Sequence, residues 1–351
     1  MKNLSISRYK INTNSKPFII AEISSNHNWS LRHTLKLIKK IKEAGADAVK
    51  IQTYDENSMT FKSKKKDFVV KQGLWKKFSL HDLYREAKTP IEWHKKIFQY
   101  AKSLGLVAFS TPFDEVSANF LSKLNVPAYK IASFEIVDHP LIEHVAKKNK
   151  PIILSTGMSS LEEISEAIEV VKKTKNNKII LLHCMSSYPS NHYDYNLRMM
   201  SKLKNKFNLH VGLSDHTQGD DVALAATALG AKVIEKHVKL KGDNRSHDSK
   251  FSMDTDELKY FCKKINKVWE TLGTDDFRLR KDKLSKKFRR SIYVVKDIKK
   301  GELISKLNIK KIRPSNGLHP KYYFKILGKK VKKNILAGTA LKTDYIFWLN
   351  N

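Results

Sequence analysis

Two apolar runs late in the chain, HVGLSDH (210–216) and KVIEKHV (232–238), each carry a histidine at or near the C-terminal end, His216 and His237. A single imidazole on a buried strand is commonly a hydrogen-bonded core side chain. Two of them on neighbouring strands, spaced about 4.8 Å apart, can reach one ion. Two neutral nitrogen ligands with open positions suit a Lewis-acidic divalent metal such as Mn²⁺, Zn²⁺, Co²⁺ or Fe²⁺, with water and substrate completing its shell. Other strand-like runs carry further polar groups at or near their ends: Glu22; Lys50 and Gln52; Ser110 and Thr111; Lys130, Ser133 and Glu135; Ser155; Ser186 and Tyr188; Ser214; Glu235. Lysines within apolar strands need anionic partners. Glu22 and Glu235 could neutralise Lys50 and Lys130 internally. The hydroxyls of Ser133, Ser155, Ser186 and Ser214 exceed what such pairs require. Together with two ammonium groups they suit a bound phosphate and carboxylate. Lys130 also admits a second chemistry, a Schiff-base aldolase whose buried amine has a lowered pKa. The surrounding hydroxyls weigh against it, because a Schiff base needs no phosphate cradle.

These groups must be brought to one place. Eight short apolar runs alternate with amphipathic segments: FIIAEIS (18–24), AVKIQT (48–53), LVAFSTP (106–112), AYKIAS (128–133), PIILSTG (151–157), KIILLHC (178–184) and the two histidine-bearing runs. LRHTLKLIKKIKEAGA has helical spacing and stops at Gly45, and SLEEISEAIEVVKKT opens on an N-cap serine with an acidic first turn. Continuous apolar strands alternating with helices predict a parallel sheet covered on both faces. Eight such units in about 250 residues predict an α/β (β/α)8 TIM barrel, whose active site lies at the C-terminal ends of the strands. An open doubly wound sheet is the alternative, but no G-x-G-x-x-G follows the first strand. Residues 57–90 form a long insertion before the third strand, and insertions at this end of a barrel cover or shape the site. DTDELKYFCKKINKVWETLG (254–273) reads as the closing helix. The expected division is a barrel over 1–274, a charged linker over 275–288, and a small β-rich domain over 289–351.

Composition bounds the function. The net charge is +32, but the basic residues are spread along helices, without interleaved aromatics or a zinc-finger or RNA-recognition signature. No specific nucleic-acid partner is expected. No run of 18 apolar residues predicts a transmembrane helix. The N-terminal stretch lacks the apolar core and cleavage site of a signal peptide. Two cysteines, Cys184 and Cys262, fit a reducing cytoplasm better than a disulfide framework. His33, His94, His139 and His144 fall in helices or turns and read as structural or solvated, and His183 as a buried, hydrogen-bonded strand residue.

The ordered set AEISSNHN, DAVKIQTY, FSTPFD, YKIASFEIVDHPLI, ILSTGMSS, LLHCMSSYP, GLSDHTQG and VIEKHV closely resembles the sialic acid synthases, which condense phosphoenolpyruvate with an N-acylated sugar to give nonulosonic acids. The segment from about 289, with KDIKKGELI and IRPSNGL, resembles their C-terminal antifreeze-like (SAF) domain. The resemblance therefore covers nearly the whole chain. SLHDLYREAKTPIEWHKKIFQYAKSLG, ASFEIVDHPLI and DSKFSMD are most similar to the pseudaminic acid synthase branch, which uses 2,4-diacetamido-2,4,6-trideoxy-L-altrose. The alternatives within the family are N-acetylneuraminate and legionaminate synthases. Ser186 stands where the neuraminate enzymes have Asn.

By this resemblance, Lys50 and Thr111 hold the phosphoenolpyruvate carboxylate, and Lys130, Ser133, Ser155, Ser186 and Ser214 its phosphate. His216 and His237 bind a divalent metal, Mn²⁺ first, with Mg²⁺ or Co²⁺ as alternatives. Glu135 is the catalytic carboxylate, and Gln52, Tyr188 and Asp248 bind the sugar. Arg313 is the arginine that the C-terminal domain inserts into the partner's site, which implies a domain-swapped homodimer.

Overall fold

The computed structural model describes residues 3–274 and 284–348, so most of the segment read as a linker lies outside the described residues. The chain divides into two compact units after Gly273.

In the first unit eight strands alternate with helices: β1 (Phe18–Glu22), β2 (Ala48–Thr53), β3 (Val107–Pro112), β4 (Tyr129–Ile131), β5 (Ile152–Ser155), β6 (Ile179–Cys184), β7 (His210–Asp215) and β8 (Val233–Lys239). Every neighbouring pair is parallel, and β8 pairs with both β7 and β1, so the eight strands close into a barrel. Strands buried on both faces must be apolar throughout, and IIL of β5 and IILL of β6 are fully buried.

The helices follow from local signals. Leu31–Ala44 starts at Ser30, whose hydroxyl accepts the His33 N–H. It buries Thr34, Leu37, Ile38, Ile41 and Ala44 at i, i+3, i+4 and i+7 spacing, and ends at Gly45 with φ +97°, a left-handed position that favours glycine. Leu161–Lys173 begins with a capping box between Ser160 and Glu163. Thr255–Leu272 forms the closing helix.

One element had no clear sequence signal. Leu4–Ile6 and Tyr9–Ile11 make an antiparallel hairpin. Its Leu4, Ile6 and Ile11 are buried, and the Tyr9 ring lies 5.0 Å from that of Phe18, at the start of β1. The hairpin thus covers the N-terminal end of the barrel, opposite the strand ends that hold the polar groups. Three-residue strands are too short to display a period. Among the described residues, no helix is long and apolar enough to cross a membrane.

The second unit is built of short β pieces around its own core. Ser291–Val294 pairs antiparallel with Ile309–Ile312, and isolated bridges such as Ile298 to Ile335 and Val331 to Ile346 extend the pattern. Ile292, Val294, Ile298, Ile304, Ile309 and Ile326 are buried together.

Candidate functional site

The barrel register sets His237, Glu22 and Lys50 side by side on β8, β1 and β2. Lys50 Nζ lies 2.7 Å from Glu22 and 3.6 Å from Glu235, and donates to the Thr111 hydroxyl at 3.0 Å. Burial alone would lower the Lys50 pKa, but the two carboxylates outweigh it and hold the ammonium charged. Burial raises Glu22 to about 7 against the pull of Lys50. Glu235, although equally buried, is held below its ordinary value by Lys50 and then Lys130. The internal ion pairs and an anion site therefore coexist. Lys50 takes both carboxylates, and among the described residues Lys130 has no carboxylate within ion-pair distance. Its Nζ donates to the Ile131 carbonyl at 3.1 Å, and burial lowers its pKa.

Beside these lysines lies a group of hydroxyls. The Ser155 and Ser186 hydroxyls are buried without a hydrogen-bond partner, a condition that costs about 1–3 kcal/mol each unless a ligand satisfies them. Ser133 Oγ lies 3.0 Å from the Cys184 sulfur, which also accepts the Gly157 N–H at 3.2 Å. A Cβ placed on Gly157 would fall 2.4 Å from Ser186 Oγ and 2.6 Å from Ser133 Oγ. The two hydroxyls thus pack against the Gly157 backbone, in space that any Cβ there would take. Ser214 Oγ lies 3.5 Å from Glu235 and 3.4 Å from His216 Nε2.

The His216 and His237 rings have centroids 5.5 Å apart. His216 Nδ1 is 2.6 Å from the Met185 carbonyl, which can only accept, so Nδ1 carries the proton and Nε2 keeps its lone pair. The Tyr195 hydroxyl accepts the His216 N–H at 2.7 Å and donates to the Ser214 carbonyl at 3.2 Å, fixing the end of β7. His237 Nδ1 is buried without a hydrogen bond, 4.0 Å from an Asp248 carboxylate oxygen. Burial lowers both imidazoles below their ordinary value, so both are neutral at pH 7 and can offer nitrogen lone pairs. Among the described residues, no group of three or more His, Cys, Asp or Glu side chains is arranged to hold a metal ion. Two neighbouring neutral imidazoles, with His237 Nδ1 left without a hydrogen bond, suit a divalent ion whose remaining ligands are water and substrate.

Gln52, Glu135, Tyr188, His237 and Asp248 line one cavity of about 340 Å³. Gln52 donates to Ser24 at 3.0 Å and to Glu22 at 3.3 Å. Glu135 Oε2 is buried without a partner, and burial raises its pKa to about 7 against the pull of Lys130. The Tyr188 ring lies 4.4 Å from that of His216. Asp248 Oδ2 accepts the Ser25 N–H at 3.2 Å, and the Asp248 N–H donates to the Ser25 hydroxyl, also at 3.2 Å. Arg313 belongs to the second unit, where it is exposed.

Of the remaining histidines, His183 is held by the Tyr195 carbonyl at 2.5 Å, and His94 by the Thr53 hydroxyl at 2.8 Å. Sequence reasoning missed three contributors. Phe251 packs 4.9 Å from the His237 ring. Tyr195 pins the end of β7, and Gly157 leaves room for the Ser133 and Ser186 hydroxyls. The first two lie outside the strand ends, and the third has no functional group, so none carried a local signal.

A family model described as the NeuB family matches residues 37–276, and one described as the SAF domain matches residues 289–346. The chain is 48% identical to the pseudaminic acid synthase of Campylobacter jejuni over 94% of its own length and 97% of that protein's. It is 45% identical to the pseudaminic acid synthase of Helicobacter pylori, over 94% and 98% of the two lengths. The N,N'-diacetyllegionaminic acid synthase of C. jejuni is 39% identical over 91% of this chain and 97% of that one. Among solved structures, the N-acetylneuraminic acid synthetase of Leptospira borgpetersenii superposes with a TM-score of 0.73, at 30% identity, over 81% of this chain and 94% of the other. The chain belongs to the NeuB family, the sialic acid synthases whose motifs its strand ends carry.

Proposed function

We propose that this enzyme condenses phosphoenolpyruvate with 2,4-diacetamido-2,4,6-trideoxy-L-altrose, releasing phosphate and forming pseudaminic acid. The higher identity to the two pseudaminic acid synthases than to the legionaminic acid synthase favours the altrose-configured sugar. The observation that carries the chemistry is the meeting, at one end of the barrel, of two neighbouring neutral imidazoles, a lysine with no carboxylate within ion-pair distance among the described residues, and two orphaned hydroxyls.

In this reading Lys50 and Thr111 hold the phosphoenolpyruvate carboxylate. Lys130, Ser133, Ser155, Ser186 and Ser214 hold its phosphate. Gln52, Tyr188 and Asp248 orient the open-chain sugar so that its C1 aldehyde meets C3 of the enol. Fixing both partners makes the encounter effectively unimolecular. His216 and His237 would hold a divalent ion, Mn²⁺ by preference, which would supply Lewis-acid polarisation of the aldehyde. As C3 attacks, positive charge develops at C2, and the Glu135 carboxylate stabilises it. Glu135 then takes the proton from the water that adds to C2. The tetrahedral adduct breaks its C–O bond, and phosphate leaves from the serine cradle. Arg313, exposed on the second unit, is offered to the barrel of a second copy in a domain-swapped homodimer. Two buried thiols, Cys184 and Cys262, suit a reducing cytoplasm.

The test is phosphate release from phosphoenolpyruvate with Mn²⁺ and a panel of sugars. The altrose derivative supports turnover in this reading, whereas N-acetylmannosamine and the mannose-configured legionaminate precursor do so poorly. Preference for either of the last two would overturn the assignment.

A further inference from the structure

The insertion over 57–90 is rich in lysine, yet it turns no lysine toward the cavity. Its helix, Leu80–Ala87, has an apolar stripe at i, i+3, i+4 and i+7, formed by Leu80, Leu83, Tyr84 and Ala87. All four of these residues line the cavity that holds Glu135, His237 and Asp248, and Met59 and Val70 of the same insertion line it too. Such a stripe normally packs on a core. Here part of it faces open space continuous with the reacting groups. The occupant must therefore be an apolar part of whatever reacts there.

We infer that this stripe is a specificity wall that reads the C6 methyl group of the sugar. The inference rests on the proposed condensation and extends it to the far end of the substrate. The reacting carbon is C1, so the opposite end of the chain is C6. The acetamido groups carry N–H and C=O dipoles that need polar partners, which Gln52 and Asp248 can offer from elements outside the insertion. A methyl group needs none and gains from burial. A C6 hydroxyl against the aliphatic side chains of Leu80, Leu83 and Ala87 would lose its water hydrogen bonds, and those three side chains offer none in return. An apolar surface discriminates against an added hydroxyl by about 10²-fold at most.

The test compares the altrose substrate with its 6-hydroxy counterpart, by phosphate release at saturating phosphoenolpyruvate. The wild-type enzyme prefers the 6-deoxy sugar in kcat/KM by about 10- to 100-fold. Leu80→Gln and Ala87→Ser, which put polar groups on the half-buried part of the stripe, narrow that ratio about tenfold or more, while Leu80→Met retains it. The KM for phosphoenolpyruvate stays at the wild-type value in all three. Two variants at opposite ends of the helix keep the test open if one fails to fold. A wild-type ratio near unity, or a ratio unchanged in both polar variants, overturns the wall while leaving the condensation standing. Absence of turnover with both sugars in the wild-type enzyme overturns the underlying reaction instead.

Discussion

Gly157→Ala probes the proposed phosphate cradle most sharply, because the structure sets the size of the effect. The new methyl carbon would lie 2.4 Å from Ser186 Oγ, 2.5 Å from Ser133 Cβ and 2.6 Å from Ser133 Oγ. Carbon contacts are comfortable at about 3.5–4.0 Å. The Ser186 hydroxyl can rotate away, but Ser133 Cβ is fixed to its backbone, so the turn itself must move. Overpacking of this kind costs about 1–3 kcal/mol, which lowers Tm by a few degrees. The larger effect is on binding. Hydrogen bonds to a charged group contribute about 1.5–3 kcal/mol each. Displacing the Ser133 and Ser186 donors together removes about 3–6 kcal/mol, or about 10²- to 10⁴-fold in affinity. Initial rates of phosphate release against phosphoenolpyruvate concentration, at saturating sugar, should give a KM raised by that factor, with the sugar KM unchanged. A thermal melt establishes that the variant is folded. A folded Gly157→Ala enzyme with wild-type KM for phosphoenolpyruvate would refute the placement of the phosphate.

The remaining outcomes follow from the same geometry. His216→Ala and His237→Ala should each abolish turnover and weaken Mn²⁺ binding measured by calorimetry. Chelation of the wild-type enzyme should do the same reversibly, and undiminished Mn²⁺ affinity in both variants would remove the ion from the imidazoles. Glu135, raised by burial to about 7, must be ionised to accept a proton, so kcat/KM should climb as pH rises through about 7. Glu22→Gln should leave that limb in place, and a limb in the ordinary carboxylate range would exclude Glu135 as the base. The raised pKa values of Glu22 and Glu135 favour their neutral forms in the folded state. Their contribution to stability is therefore full below the ordinary value of 4.5 and is lost as pH rises through about 7. Lys236 is buried against Asp215 at 2.7 Å, and Lys236→Met should destabilise the barrel by about 3–5 kcal/mol in chemical denaturation, because it strands a buried carboxylate. A loss below about 1 kcal/mol would show that the pair is dispensable.

The barrel was legible because its strands are apolar throughout and its helices carry caps and stripes that local physics interprets. The paired imidazoles were legible because consecutive strands in such a barrel are neighbours, so His216 and His237 had to meet. The partition of the buried charges was not. Sequence offered Glu22 and Glu235 to both Lys50 and Lys130, and only the tertiary arrangement gives both carboxylates to Lys50. The Lys236–Asp215 pair was hidden in the same way. The stripe of Leu80, Leu83, Tyr84 and Ala87 has the same pattern whether it covers a core or a cavity, so its face could not be assigned before the fold was known. Tyr195 and Gly157 matter through a single contact each, which no local pattern announces.

The most direct measurement uses phosphoenolpyruvate labelled with ¹⁸O at the bridging position, incubated with the enzyme, Mn²⁺ and the diacetamido-altrose. Attack by C3 followed by C–O cleavage sends all of the label into phosphate, with one phosphate formed per sugar consumed. Label retained in the nonulosonic acid, or covalent trapping of pyruvate on Lys130 by borohydride, would contradict the account.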